Sequence, residues 1–235
     1  SLDSMTANNL HASGTFNGTI GASATITDGA NPHGWEHIKT ISYSSSVPTT
    51  SSSGNSKMTD VVSSKYSAYK ILAQWGSDDG STRDLFFRFL DGSNNEVTTS
   101  RYAYGGQIIA ENGAEGQIFD GQAASDAQIG NDLLEGSRGW NGEITLWNCY
   151  ASSSDYPQID GYQLTSTDTG RPAMPYALFQ WTGHDAGNYD FGGHGFFWYD
   201  DTLYVKGFQL TWTGTSNVCK GSWWSCYGLK LPTAD

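Results

Sequence analysis

Charge is scarce in this sequence, and the little there is leans one way. Twelve Lys and Arg stand against 24 Asp and Glu, which leaves a net charge of −12. Phosphate backbones and anionic headgroups are held by clustered Lys and Arg, so nucleic acid and membranes are poor partners. Long apolar runs are missing too: no stretch approaches the roughly 20 residues of a membrane helix, and residues 1–10 carry neither the basic nor the apolar part of a signal peptide. Cysteine is limited to Cys149, Cys219 and Cys226, an odd count that does not make a disulfide framework. Cys219 and Cys226 flank a predicted turn and either bridge across it or stay free; buried free thiols are the plainer reading. There is no Gly-x-Ser-x-Gly elbow and no phosphate-cradling glycine loop followed by Lys, so a nucleophile or nucleotide site has no support.

What is abundant points to β-structure. The chain has 29 glycines, many Ser and Thr, and 14% aromatic residues, the composition of short strands separated by tight turns. Tyr69, Ile71, Ala73 and Trp75 alternate with Lys70, Leu72 and Gln74 up to the turn signal Ser77-Asp78-Asp79-Gly80. Residues 85–90 are apolar on both sides, which predicts a central strand ended by Asp91-Gly92. Further strands are expected within 97–109, with Tyr102 and Tyr104 on one face, and at 143–148, with Ile144 and Leu146 inward. Two more are expected at 161–166 and 176–181. Phe208, Leu210 and Trp212 alternate with Gln209, Thr211 and Thr213, as in a strand with a hydroxyl-rich face to water. Residues 223–229 alternate likewise, and the polar stretch 214–221 between the two runs predicts a closing hairpin.

Other segments fit no period. Residues 111–135 read as an excursion over the sheet with a short helix at 126–134, and 44–56 as a polar loop. Residues 1–31 carry few large side chains, Leu10, Phe16, Ile20 and Ile26 among them, too little to offset the ordering of some thirty residues alone. The expected organisation is an extended N-terminal arm, 1–31, that orders on a neighbouring subunit, then one all-β domain, 32–235. That domain is expected to be an antiparallel two-sheet sandwich, jelly-roll-like.

Five pieces in this order and spacing resemble the β-sandwich virion structural proteins of tailed bacteriophages, marine phage type. They are Tyr66-Ser67-Ala68-Tyr69-Lys70-Ile71, Leu85-Phe86-Phe87-Arg88-Phe89, Tyr102-Ala103-Tyr104, Asn141-Gly142-Glu143-Ile144-Thr145-Leu146-Trp147-Asn148, and the ending Gly221-Ser222-Trp223-Trp224-Ser225-Cys226-Tyr227-Gly228-Leu229. The family's usual ending has Arg-Leu or a similar pair where this chain has Ser225-Cys226. The resemblance covers residue 66 onward and carries over no catalytic residue. It implies a non-enzymatic protein displayed on the virion, as capsid decoration or as part of a tail or fibre, with other virion proteins and its own copies as partners.

Candidate sites are few. His184, Asp185, Asp190 and His194 lie within eleven residues, but the spacing matches no dedicated metal motif, and solvated loop residues explain them better. Asp78-Asp79 and Asp200-Asp201 read as turns, so neither a metal nor another cofactor is expected. Glu143 beside Trp147 is the nearest approach to a glycosidase acid, and a solvent-facing strand carboxylate accounts for it. The aromatic excess offers a glycan platform built from 194–199, including Trp198 and Tyr199, together with Trp212, Trp223 and Trp224. A host-surface glycan would then be the ligand of a carbohydrate-binding or fibre-tip domain. Subunit contact through the same rings is the competing expectation, and the favoured one.

Overall fold

The structure is a computed structural model that describes residues 34–48, 55–78, 83–110, 118–133, 139–152, 174–184, 190–212 and 217–230. The N-terminal arm and the expected strand at 161–166 lie outside these residues. Among them every regular element is a strand. In chain order these are β1 (Trp35–Ser42), β2 (Val47–Pro48), β3 (Lys57–Met58), β4 (Tyr66–Trp75), β5 (Arg83–Leu90), β6 (Tyr102–Ala110) and β7 (Ile118–Ala124). They continue with β8 (Ala127–Leu133), β9 (Trp140–Trp147), β10 (Tyr176–His184), β11 (Asp190–Tyr199), β12 (Gly207–Trp212), β13 (Asn217–Val218) and β14 (Trp223–Lys230).

The strands form a large sheet in the order β1-β14-β4-β9-β10-β11-β6-β7, a small one in the order β3-β12-β5-β8, and a minor pair β13-β2. All ladders are antiparallel. The two main sheets pack face to face. Tyr69 of β4 meets Phe208 of β12 with ring centroids 5.9 Å apart, and Phe87 of β5 meets Phe197 of β11 at 4.9 Å. Ile71, Trp75, Ile144, Phe179 and Trp224 from the large sheet fill the same core as Leu85, Phe89 and Leu210 from the small one. The chain is therefore an antiparallel sandwich, and it passes repeatedly between sheets as in a jelly roll: β4 lies in the large sheet, β5 in the small, β6 and β7 in the large, β8 in the small.

Strands with one plainly apolar face form as expected. β4 buries Tyr69, Ile71, Ala73 and Trp75; β5 is central in its sheet; β9 buries Ile144 and Leu146. Three expectations are corrected. The run 208–212 and the run 223–229 do not form a hairpin, because β12 pairs with β3 and β5 whereas β14 pairs with β1 and β4. The two runs lie in different sheets instead. Nor does β12 present a wet face: Gln209 is fully buried, donating from Nε2 to Ser56 Oγ at 3.1 Å and to Glu96 Oε1 at 3.3 Å. The helix expected at 126–134 is strand β8, with Ala127 and Ile129 buried on either side of Gln128, and the small Ala127 and Gly130 mask the alternation.

The glycine-rich stretch before 199 is also a strand, β11, and its glycines are a packing requirement. A Cβ on Gly193 would come within 2.5 Å of the Trp181 indole, which fills that part of the core.

Candidate functional site

Parity decides which side chains of the large sheet face out. In β9, β10 and β11 the buried residues are Ile144 and Leu146, Ala177, Phe179 and Trp181, and Phe197 and Tyr199. Their immediate neighbours must point to the opposite, outer face. Strand register then aligns three ranks across these strands: Trp147–Tyr176–Trp198, Thr145–Leu178–Phe196 and Glu143–Gln180–His194. The first is aromatic, the second mixed and the third polar.

The exposure is concentrated here. Of the seven large hydrophobic residues exposed among the described residues, Trp35, Ile109, Tyr176, Leu178, Phe196 and Trp198 all lie on this outer face, leaving only Tyr204 elsewhere. Leu178 is 55% exposed and Phe196 46%, values that core positions do not reach. A gathering of this kind on one face marks an interaction surface. The rings are ordered against each other: Phe196 and Trp198 stack at 5.6 Å with 8° between planes, and Trp147 and Tyr176 at 5.3 Å with 16°.

Between the ranks lies an open cleft of about 500 Å³, lined by Thr145, Trp147, Leu178, Phe196 and the polar rank. Its carboxylate is held in place. Glu143 Oε1 accepts from Gln180 Nε2 at 2.9 Å, and Oε2 pairs with Lys70 Nζ at 3.2 Å, while the same ammonium sits 5.4 Å from the Trp35 ring centroid. Both charged side chains remain about a third exposed, so the pair sets geometry more than stability.

The five aromatic residues expected in a platform are divided by the structure. Trp198 is on the outer face, 37% exposed, and belongs to the aromatic rank. Trp223 is also outward but half-buried on β14, three strands from β10, with its indole N–H donated to Gln74 Oε1 at 3.1 Å. Trp212, Trp224 and Tyr199 do not join them. Trp212 and Trp224 are core residues, Trp224 packing edge-on against Trp75 at 5.8 Å, and Tyr199 is buried against Tyr102 with its hydroxyl bonded to Thr99. In 196–199 and in 223–229 each face is largely apolar, so alternation alone cannot say which face is the inner one.

Tyr176, Leu178 and Gln180 are the residues that sequence reasoning missed. The available signal was that 176–181 is largely apolar on both faces, of which the structure leaves Tyr176, Leu178 and Gln180 exposed. Trp147 is not beside Glu143 but four residues away along β9, on the same face and roughly 13 Å distant in an extended strand. The His–Asp group does not converge either. His184 and Asp190 pair at the far end of the β10–β11 ladder, whereas His194 is four residues further along β11, again roughly 13 Å away. Asp185 lies outside the described residues. No group of three or more metal-ligating side chains occurs among the described residues. Asp201 behaves as a turn residue, its Oδ1 accepting from the Thr202 amide at 2.7 Å.

Comparison with protein-family models, with curated proteins and with solved structures returns no match.

Proposed function

We propose that this chain is a non-enzymatic recognition protein, displayed on a virion surface, whose working part is the outer face of the large sheet and whose ligand is a carbohydrate. The observation that carries the reading is the concentration of exposed rings on that face beside a pre-positioned polar rank. Aromatic faces stack on sugar rings, and carboxylates, carboxamides and imidazoles bind their hydroxyls. The virion setting is supported by the resemblance of residues 66–229 to phage structural proteins. A binding role is favoured over hydrolysis because Glu143 is the one carboxylate among the described lining residues, and glycosidases need two flanking the bond.

Subunit contact is the second reading, supported by the exposed apolar band that Tyr176, Leu178, Phe196 and Trp198 form across neighbouring strands. The polar rank speaks against it, since interface centres are depleted in charged groups. A glycan array probed with the native chain and with the Phe196→Ala/Trp198→Ala variant tests the proposal, light scattering of both being run alongside. Array signal lost in the variant supports recognition; loss of an oligomer with no array signal supports contact.

A further inference from the structure

The electrostatics of the cleft narrow the ligand further. A uronate or sulfated sugar would have to bring its charge beside Glu143, and the nearby cation that would compensate, Lys70, is already paired with that carboxylate and capped by Trp35. Among the described residues lining the cleft there is no Lys or Arg, and the chain as a whole carries −12. An anionic ligand meets repulsion on approach and no bidentate partner on arrival. Hydroxyls are suited to the same groups: Glu143 accepts, and Gln180 and His194 both donate and accept.

The layout also sets a direction. Successive ranks are roughly 7 Å apart along the strands, so a ring seated on Leu178 and Phe196 reaches the polar rank with its edge. Across the strands the polar rank continues from Glu143 through Gln180 and His194 to Gln107 on β6, three strand spacings or roughly 14 Å. Phe196 is laid along this path by the residue opposite it. Gly105 has no side chain, and a Cβ there would stand 3.2 Å from Phe196 Cζ, so the bare backbone of β6 is what lets the ring lie over it.

We infer that the ligand of this face is a neutral, unbranched glycan laid across β9, β10, β11 and β6, with ring faces on Phe196 and Leu178 and hydroxyl edges on Glu143, Gln180 and His194. Gly105 is a positioning residue for Phe196. The inference rests on the recognition reading above and adds the ligand's charge class and its direction.

Calorimetric titration of the intact chain tests it, with two panels: neutral gluco-, manno- and galacto-oligosaccharides of increasing length, and polyuronate and sulfated oligosaccharides. Neutral chains are expected to bind, more tightly with length up to the span of the four strands, with an affinity that added salt leaves unchanged. Phe196→Ala, Gln180→Ala and Gly105→Val should each weaken binding at least tenfold, Gln180→Ala with an unchanged melting temperature, so that one variant reads the site free of any folding defect. Tighter binding of the acidic panel, still lost in Phe196→Ala, overturns the ligand class and leaves the recognition face standing. Neutral binding that does not grow beyond a disaccharide overturns the direction. Binding that no variant touches, or no binding by either panel, overturns the recognition reading itself and the inference with it.

Discussion

Neighbouring tryptophans at 223 and 224 have opposite fates, and the difference is measurable. Trp224 is fully buried against Trp75, so Trp224→Ala is expected to cost about 3–5 kcal/mol through lost contacts and the cavity left behind. Trp223→Ala, which removes a half-buried ring and one hydrogen bond, should cost about 1 kcal/mol by urea denaturation. The three thiols give a second prediction. All are free and buried; burial pushes the Cys226 thiol up to about 12, and burial, with the neighbouring Cys226 adding to it, raises Cys149 as well. An unfolded thiol releases its proton near pH 8.5, so above that value the folded chain holds more protons than the unfolded one. The stabilisation is complete below about pH 8.5 and is lost progressively as the pH climbs toward 12. Buried Tyr43, Tyr69 and Tyr102, all raised chiefly by burial, add to the loss once unfolded tyrosine ionises near pH 10. Urea midpoints should therefore fall from pH 8 to 10, and Cys149→Ala/Cys226→Ala should flatten that fall.

Elements were legible in the sequence where one face is large and apolar and the other is not. β4 and β9 meet that condition, and their registers follow from it. β8 and β11 escaped because alanine or glycine takes buried positions in both, and in β11 the neighbouring strand supplies the bulk, as Trp181 does over Gly193. Pairing between β12 and β14 was misread because proximity in sequence favours a hairpin, whereas burial of both faces of β12 requires the small sheet. The covered outer side of that sheet holds a charged cluster no pattern announces. Glu96 bridges Lys57 at 3.0 Å and Arg88 at 2.8 Å, Arg88 also reaches Asp126 at 2.9 Å, and all four side chains are less than a fifth exposed. Glu96→Leu takes the carboxylate from Lys57 and one partner each from Arg88 and Gln209, and is expected to cost about 3 kcal/mol. Arg88→Met should cost less, because Glu96 keeps Lys57 and Gln209; the order of the two melting temperatures checks the assignment. For the proposed recognition face, Trp198 could be picked from the sequence and Tyr176 and Leu178 could not. Facing water or facing core is a property of the sheet pair, and alternation fixes only that neighbours differ.

At the scale of the molecule, the two sheets are unequal, eight strands against four. The larger one exposes its aromatic ranks on the outer side while its inner side supplies most of the core. The strand that joins its two parts is β14, inserted between β1 and β4 with Trp35 opposite Leu229 and Ala68 on the other side of the same residue. That placement has a kinetic consequence. The sheet cannot close until residue 230 has left the ribosome, so β1 and β4 wait as open edges through nearly the whole of synthesis of the sandwich. Such long-range closure puts refolding in the range of milliseconds to seconds, and during that interval the nascent chain is exposed to edge-to-edge association. In stopped-flow refolding, tryptophan burial and large-sheet formation should arrive together in one slow phase, and a chain ending before Trp223 should show neither. What the cell requires of this protein is therefore a protected wait before it is a fast fold.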